Sequence, residues 1–199
     1  NGYQNIIDGA KQIAENWKPK IEIDPKWRKI KLPDISENND HKRKPVTKSD
    51  RSSGKYPYYG ASGIVDYVEN YIFDGNYLLI SEDGANLLAR NTPIAFSISG
   101  KNWVNNHAHI LMFKNIETQK FVETYINQIN ISEFVTGMAQ PKLNQQSLNA
   151  IAIPLPSLEI QKQIVEKIEA ERTLVESAKK LIELYEQKTK DVIAKLWTK

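Results

Sequence analysis

Two histidines flank an alanine in Asn105-Asn106-His107-Ala108-His109. On an extended strand this spacing points both rings to one face, where two imidazoles can share a metal ion. No third ligand with a matching spacing accompanies them, so the pair is read as hydrogen-bonding within the structure, with no metal site. Glu82 and Asp83 are adjacent acids, and a nuclease could use such carboxylates on a divalent cation. No lysine follows closely, and Gly84-Ala85-Asn86 continues as a turn, so these acids are read as turn formers. There is no Gly-rich phosphate loop after a strand, no nucleophile elbow and no His-Glu-x-x-His helix. The Asn/Asp-Pro-Pro-aromatic run of an amino-methyltransferase is also missing. No catalytic residues are expected, and no cofactor is expected to bind this chain.

The remaining chemistry is that of recognition. Residues 26–60 hold ten Lys or Arg against four acids, a net +6, whereas residues 61–100 hold five acids against Arg90, a net −4. A local basic excess suits a phosphate-binding face. Lys42, Arg43, Lys44, Lys48 and Arg51 are the candidate phosphate contacts, which position a protein without reading sequence. Reading bases requires planar amides for adenine and guanidinium or ammonium groups for guanine. Loop residues able to reach base edges are Tyr58, Tyr59, Ser62, Asn86 and Arg90, followed by Lys101, Asn105, Gln140, Lys142 and Gln145. Ala61 and Gly63 are read as backbone requirements of a tight turn.

These side chains must be held by something rigid. From Tyr56 to Phe113 the pattern is mostly that of β-structure. Tyr56–Gly63 is a turn-rich aromatic stretch, and 64–68, 71–73, 77–80, 93–98, 103–104 and 110–113 are strands. The strands at 71–73 and 77–80 flank a turn at 74–76. A first strand at 27–32 precedes a long polar loop at 33–55. Helices are predicted at 1–17, 117–133 and 145–149, with an edge strand at 151–156. Leu158–Leu196 lacks Gly and Pro, and its apolar residues recur at steps of four and three. Ile164, Ile168, Val175, Ala178, Ile182, Tyr185, Val192 and Leu196 form one stripe, interrupted by Glu171 and Thr189. Leu174, Leu181, Leu184 and Ile193 widen it. Such a helix is about 60 Å long and must meet another helix over much of its length. Ser157 can cap it, with Glu159 favourable in its first turn.

The N-terminus echoes this helix. Ile6–Trp17 aligns with Leu174–Tyr185 at a constant offset of 168, with identical Ala, Lys and Glu at three positions. Ile6, Ala10, Ile13 and Trp17 carry the same stripe. The offset suggests the tail of one repeat followed by a complete second one, and a chain starting at Asn1 is expected to be a piece of something longer. The expected fold is α+β, a mixed β-rich globular domain followed by a long coiled-coil helix. Its parts are a short spacer helix and linker (1–25), the globular domain (26–156) and the long helix (157–199). With no Cys, no signal-like segment and no apolar run of spanning length, the default expectation is a cytoplasmic protein.

Five stretches carry a family resemblance: Tyr56–Gly63, Glu82–Asn86, Trp103–His109, Gly137–Asn144 and Ile153–Gln161. In that order they resemble the target-recognition domain of a specificity subunit from a type I DNA restriction-modification system, and with the helical ends the likeness covers essentially the whole chain. The resemblance implies a non-catalytic subunit that reads one half of a bipartite target on double-stranded DNA. It also implies docking of modification (methyltransferase) subunits on the helical spacer and of a motor-nuclease restriction subunit on that core. S-adenosylmethionine, ATP and Mg²⁺ would then belong to those partners. Family members carry two recognition domains, so this chain is similar to half of one, and two copies could pair through the long helix. Two other readings are a coiled-coil oligomerisation protein with a protein-binding head, and an unrecognised nuclease or transferase.

Overall fold

The computed structural model describes residues 2–137 and 139–197, with side chains from residue 8 to 191 and at Ala194. In chain order the elements begin with α1 (Gly2–Asn16), β1 (Arg28–Lys31), β2 (Ser36–Asn38), β3 (Ser53–Gly60), β4 (Gly63–Val68), β5 (Phe73–Asp74) and β6 (Tyr77–Ser81). They continue with α2 (Asn86–Ala89), β7 (Ala95–Ile98), β8 (Lys101–Val104), β9 (Ala108–Phe113), α3 (Ile116–Gln128), α4 (Gln145–Ala150), β10 (Ala152–Leu155) and α5 (Leu158–Trp197). The architecture is α+β with a long C-terminal helix, as the sequence predicts. Two compact units emerge: Ile21–Gln163, and Asn1–Lys20 together with Ile164–Lys199.

In the larger unit, one antiparallel sheet has the order β2-β9-β6-β7, and a mixed sheet has the order β4-β3-β8-β5 with β3 and β8 parallel. The continuous apolar run of β6 follows from burial on both faces, because every one of its residues is buried. Leu79 joins Phe73, Val104 and Ile110 in the core between the two sheets. On the far side α3 packs across β6, β7 and β9, burying Phe121, Val122 and Ile126. Each such side chain contributes about 1.5–3 kcal/mol by leaving water. β1 pairs with β10 in a separate antiparallel ribbon. Pro154 is tolerated there because the ribbon has only two strands, leaving each strand one unpaired edge.

The structure departs from the sequence reading in four places. Ser53–Gly60 is a strand despite Pro57, paired to both β4 and β8. The polar loop at 33–55 contains β2 and short 3-10 turns at Asp40–Lys42 and Lys48–Asp50. The strands around the turn at 74–76 do not pair with each other: β5 joins β8, while β6 joins β7 and β9. The helix predicted to 133 stops at Gln128, and Ser132–Phe134 is a separate 3-10 turn.

In the smaller unit, Ile168 is buried and Ile164, Val175, Ala178 and Ile182 are half-buried, so the stripe predicted on α5 is its less exposed side over this span. Tyr185 is 61% exposed. On α1 the buried residue is Ala14, whereas Ala10 is exposed, Ile13 is 71% exposed and Trp17 is half-buried. Lys11 donates to Glu186 of α5 at 2.8 Å. Ile6, Val192, Leu196 and Ile193 lie outside the described side chains.

Candidate nucleic-acid interface

Four polar loops of the larger unit meet at one place. Ser81 donates its hydroxyl to the Ala61 carbonyl, fixing the β3–β4 turn beside the end of β6. Gly63 takes φ +122° in that turn, which only glycine adopts without strain. The Glu82 amide bonds to His107 O at 2.9 Å and the Asn105 amide to Tyr59 O at 3.0 Å, adding the β8–β9 loop. The 136–143 loop joins through Gly84 N to Pro141 O and Leu143 N to Glu82 O, at 3.0 and 2.8 Å. A side chain at Gly137 (φ +81°) would place Cβ 2.5 Å from Gln140 O, so this bend also requires glycine.

Beneath the junction lies an ionic cluster. The carboxylate of Asp40 faces His109 Nδ1 at 2.6 Å and accepts the Ile110 amide at 2.8 Å. The other ring nitrogen of His109 faces the Leu143 carbonyl at 2.7 Å. Both nitrogens are thus engaged by oxygen atoms of the protein. Arg43 donates to the Glu82 carboxylate, to Ala108 O and to Asp40 O. The second Glu82 oxygen lies 3.2 Å from Lys142 Nζ. Burial alone would raise the Asp40 carboxyl, but the His109 hydrogen bond and charge, the Ile110 amide and Arg43 hold it below its ordinary value. Burial likewise opposes ionisation of Glu82, and Arg43, His109 and Lys142 overcome it. Asp40, Glu82 and His109 are close enough to share a cation, but the Arg43 guanidinium already neutralises that spot.

The predicted contact residues separate into two sets. Arg43, expected at a phosphate, is turned inward, its side chain only 15% exposed, and belongs to the cluster. Arg51 is folded over the Tyr58 ring at 4.3 Å and paired to Asp66 at 3.1 Å. Tyr58 is itself buried, with its hydroxyl accepting the Val46 amide. Tyr59 packs against the inter-sheet core. Arg90, with φ +54°, donates to the carbonyls of Ile126, Asn127 and Ile129 and so caps the end of α3. Asn86 is held to both backbone groups of Thr92, and Asn105, 7% exposed, accepts the His107 amide. Six of these seven side chains hold an internal polar partner, and Tyr59 is engaged by packing.

Lys44, Lys48, Ser62, Gln140, Lys142 and Gln145 are exposed, as is Lys42, which donates to Asn39. Lys101 is also exposed but lies over Tyr71 at 4.7 Å, at the far end of β8 from the junction. The basic segment is anchored beside the junction because Trp103 Nε1 donates to Lys44 O and Arg43 reaches Ala108 O. The sequence reading missed Asn106, exposed at the tip of the β8–β9 loop, whose signal was its place in a doubled Asn turn. The two histidines do not act together: His107 is half-exposed and pairs with Asp83 at 2.8 Å, while His109 is buried with Asp40.

Residues 25–186 match the family described as the type I restriction modification DNA specificity domain. A Haemophilus influenzae protein named as a type I restriction enzyme specificity subunit is 36% identical over 167 residues, covering 84% of this chain and 39% of that protein. Among solved structures, the Mycoplasma genitalium restriction-modification S subunit superposes with a TM-score of 0.61 at 16% identity, covering 89% of this chain and 45% of that one. A second chain, from a study of complex assembly and conformational transition in a type I system, gives 0.65 at 14% identity, covering 95% and 50%. The chain thus spans about half the length of these structures, or less of the curated relative, and at such identities the structural likeness concerns the fold.

Proposed function

We propose, on the premise that this chain belongs to the type I restriction-modification DNA specificity family, that its larger unit reads one half of a two-part DNA target. The observation that carries this reading is the junction of four loops. Exposed amide, hydroxyl and ammonium groups at Ser62, Asn106, Gln140, Lys142 and Gln145 surround it, next to the basic segment at Lys42 and Lys44. Amides and ammonium groups on rigidly tied loops suit base edges, and the neighbouring lysines suit phosphates.

In this reading the chain performs no chemistry. Methyl transfer and cleavage, with S-adenosylmethionine, ATP and Mg²⁺, belong to modification and restriction subunits that dock on the helical part. Leu174, Leu181 and Leu184 of α5 are 70%, 56% and 49% exposed and offer an apolar face to a second helix, including one from another copy. No helix among the described residues is long and apolar enough to cross a membrane. Fluorescence anisotropy on duplexes at several salt concentrations, with and without the cognate modification subunit, tests the reading. Salt-dependent binding that favours one sequence is expected; indifference to both salt and sequence refutes it.

A further inference from the structure

Burying four ionisable groups under the loop junction is no efficient route to stability, since a buried ion pair often does no better than apolar side chains of similar volume. Glu82 stands at the centre of this arrangement. Its backbone amide and carbonyl tie two loops, at His107 and Leu143. Its carboxylate holds Arg43, and through it the basic segment, with one oxygen and Lys142 with the other. Lys142 is also the one member of the cluster whose side chain is largely exposed, at 52%.

We propose that Glu82 is a positioning residue for base discrimination: it restrains Lys142 and, through Arg43, the basic segment, so that these cations meet DNA in one geometry. The inference rests on the recognition reading above and adds a sign to it. Reading a base edge demands placement to about 0.5 Å, whereas phosphate attraction tolerates a mobile cation. Releasing Lys142 from its carboxylate therefore weakens discrimination and strengthens general attraction to DNA. A merely structural role would weaken both together.

The test uses a pool of randomised duplexes, binding the full chain with its cognate modification subunit and sequencing what is retained. Wild type is expected to enrich a defined motif. Glu82→Gln, which keeps an acceptor for Arg43 but no charge, should lower the ratio of specific to non-specific affinity about tenfold, roughly the worth of one good base contact. It should also bind random duplex more tightly than wild type. Val122→Ala, on the buried face of α3, is the control for lost stability and should leave the motif sharp. Should Glu82→Gln fail to fold, Asp40→Asn, which keeps an oxygen for the Ile110 amide, carries the same expectation for discrimination. Unchanged discrimination, or specific and non-specific affinity falling in parallel in both Glu82→Gln and Val122→Ala, overturns the proposal. A wild-type chain that enriches no motif overturns the recognition reading and this inference with it.

Discussion

Arg43 and Lys44 are adjacent, both cationic, and part of one basic run, yet replacing each by alanine should have opposite consequences. Arg43→Ala leaves the Glu82 carboxylate, 12% exposed, and the Asp40 carboxylate, 9% exposed, without their shared cation, and removes a donor to Ala108 O. Breaking a buried pair by deleting one partner costs about 3–5 kcal/mol. Two features place the loss toward the lower end: Lys142 still faces Glu82 and His109 still faces Asp40. A loss of about 3 kcal/mol is a large part of the roughly 5–15 kcal/mol that holds a domain together. With about 2–4 °C of melting temperature per kcal/mol, it corresponds to a drop of about 6–12 °C. Lys44→Ala removes an exposed side chain, so its stability should stay within about 0.5 kcal/mol. Its DNA affinity should fall equally across sequences, with the salt slope reduced by about 0.9 for one lost phosphate contact. Urea unfolding measures the first quantity and anisotropy against salt concentration the second. If Arg43→Ala melted like wild type while flattening the salt dependence, the inward placement of its guanidinium would be wrong.

Acid should unfold the larger unit through the same cluster. The folded-state values of Asp40 and Glu82 lie below their ordinary ones, so their contribution is complete above the usual carboxylate range and fades as the pH falls through and below about 4. Melting curves over that interval should show a steep loss that the double variant Asp40→Asn/Glu82→Gln flattens; an unchanged profile in that variant would contradict the assignment. Arg90→Ala removes the three donations that end α3, at 2.8, 3.1 and 2.7 Å, and should cost about 1.5–3 kcal/mol in urea without touching the salt dependence of DNA binding. Leu174→Glu/Leu181→Glu should abolish self-association of the pure chain in sedimentation while leaving the melting of the larger unit in place. Persistence of the associated form would remove that face of α5 from the interface.

Elements with a strong period were legible in the sequence. The long helix, the buried run of β6 and the apolar side of α3 each follow from residues whose spacing matches one secondary structure. What failed depended on partners far along the chain. Tyr56-Pro57-Tyr58-Tyr59 looks like a turn until β4 and β8 supply hydrogen bonds on both sides. The helix at 116 looks as though it should continue through Ile129 and Ile131, but it stops where Arg90, 36 to 39 positions earlier, takes its last carbonyls. On α1, a stripe of Ala10 and Ile13 shares the period of α5, yet it is Ala14 that is buried. Periodicity locates a helix more securely than it chooses which of two neighbouring faces is covered.

The site shows the same limit more sharply, because residue type states what a side chain can bond and says nothing of whether that capacity is already used. Asp40 opens a 3-10 turn and Arg43 follows it, three positions on, a spacing that could have signalled their pairing. Glu82 and His109, which complete the cluster, lie 39 and 66 positions beyond Arg43 and leave no local trace. A surface that reads DNA gains most from exposed donors not spent on buried acceptors, since exchanging one good partner for another gains little. Arg43, Arg51, Arg90 and Asn105 carry the right groups but have already found internal acceptors. Lys44, Ser62, Asn106 and Gln140 stay exposed in loops, and Gln145 stays exposed at the start of α4. In the proposed reading the exposed side chains meet the duplex, while Arg43, Arg51 and Arg90 tie the loops and α3 together inside the domain.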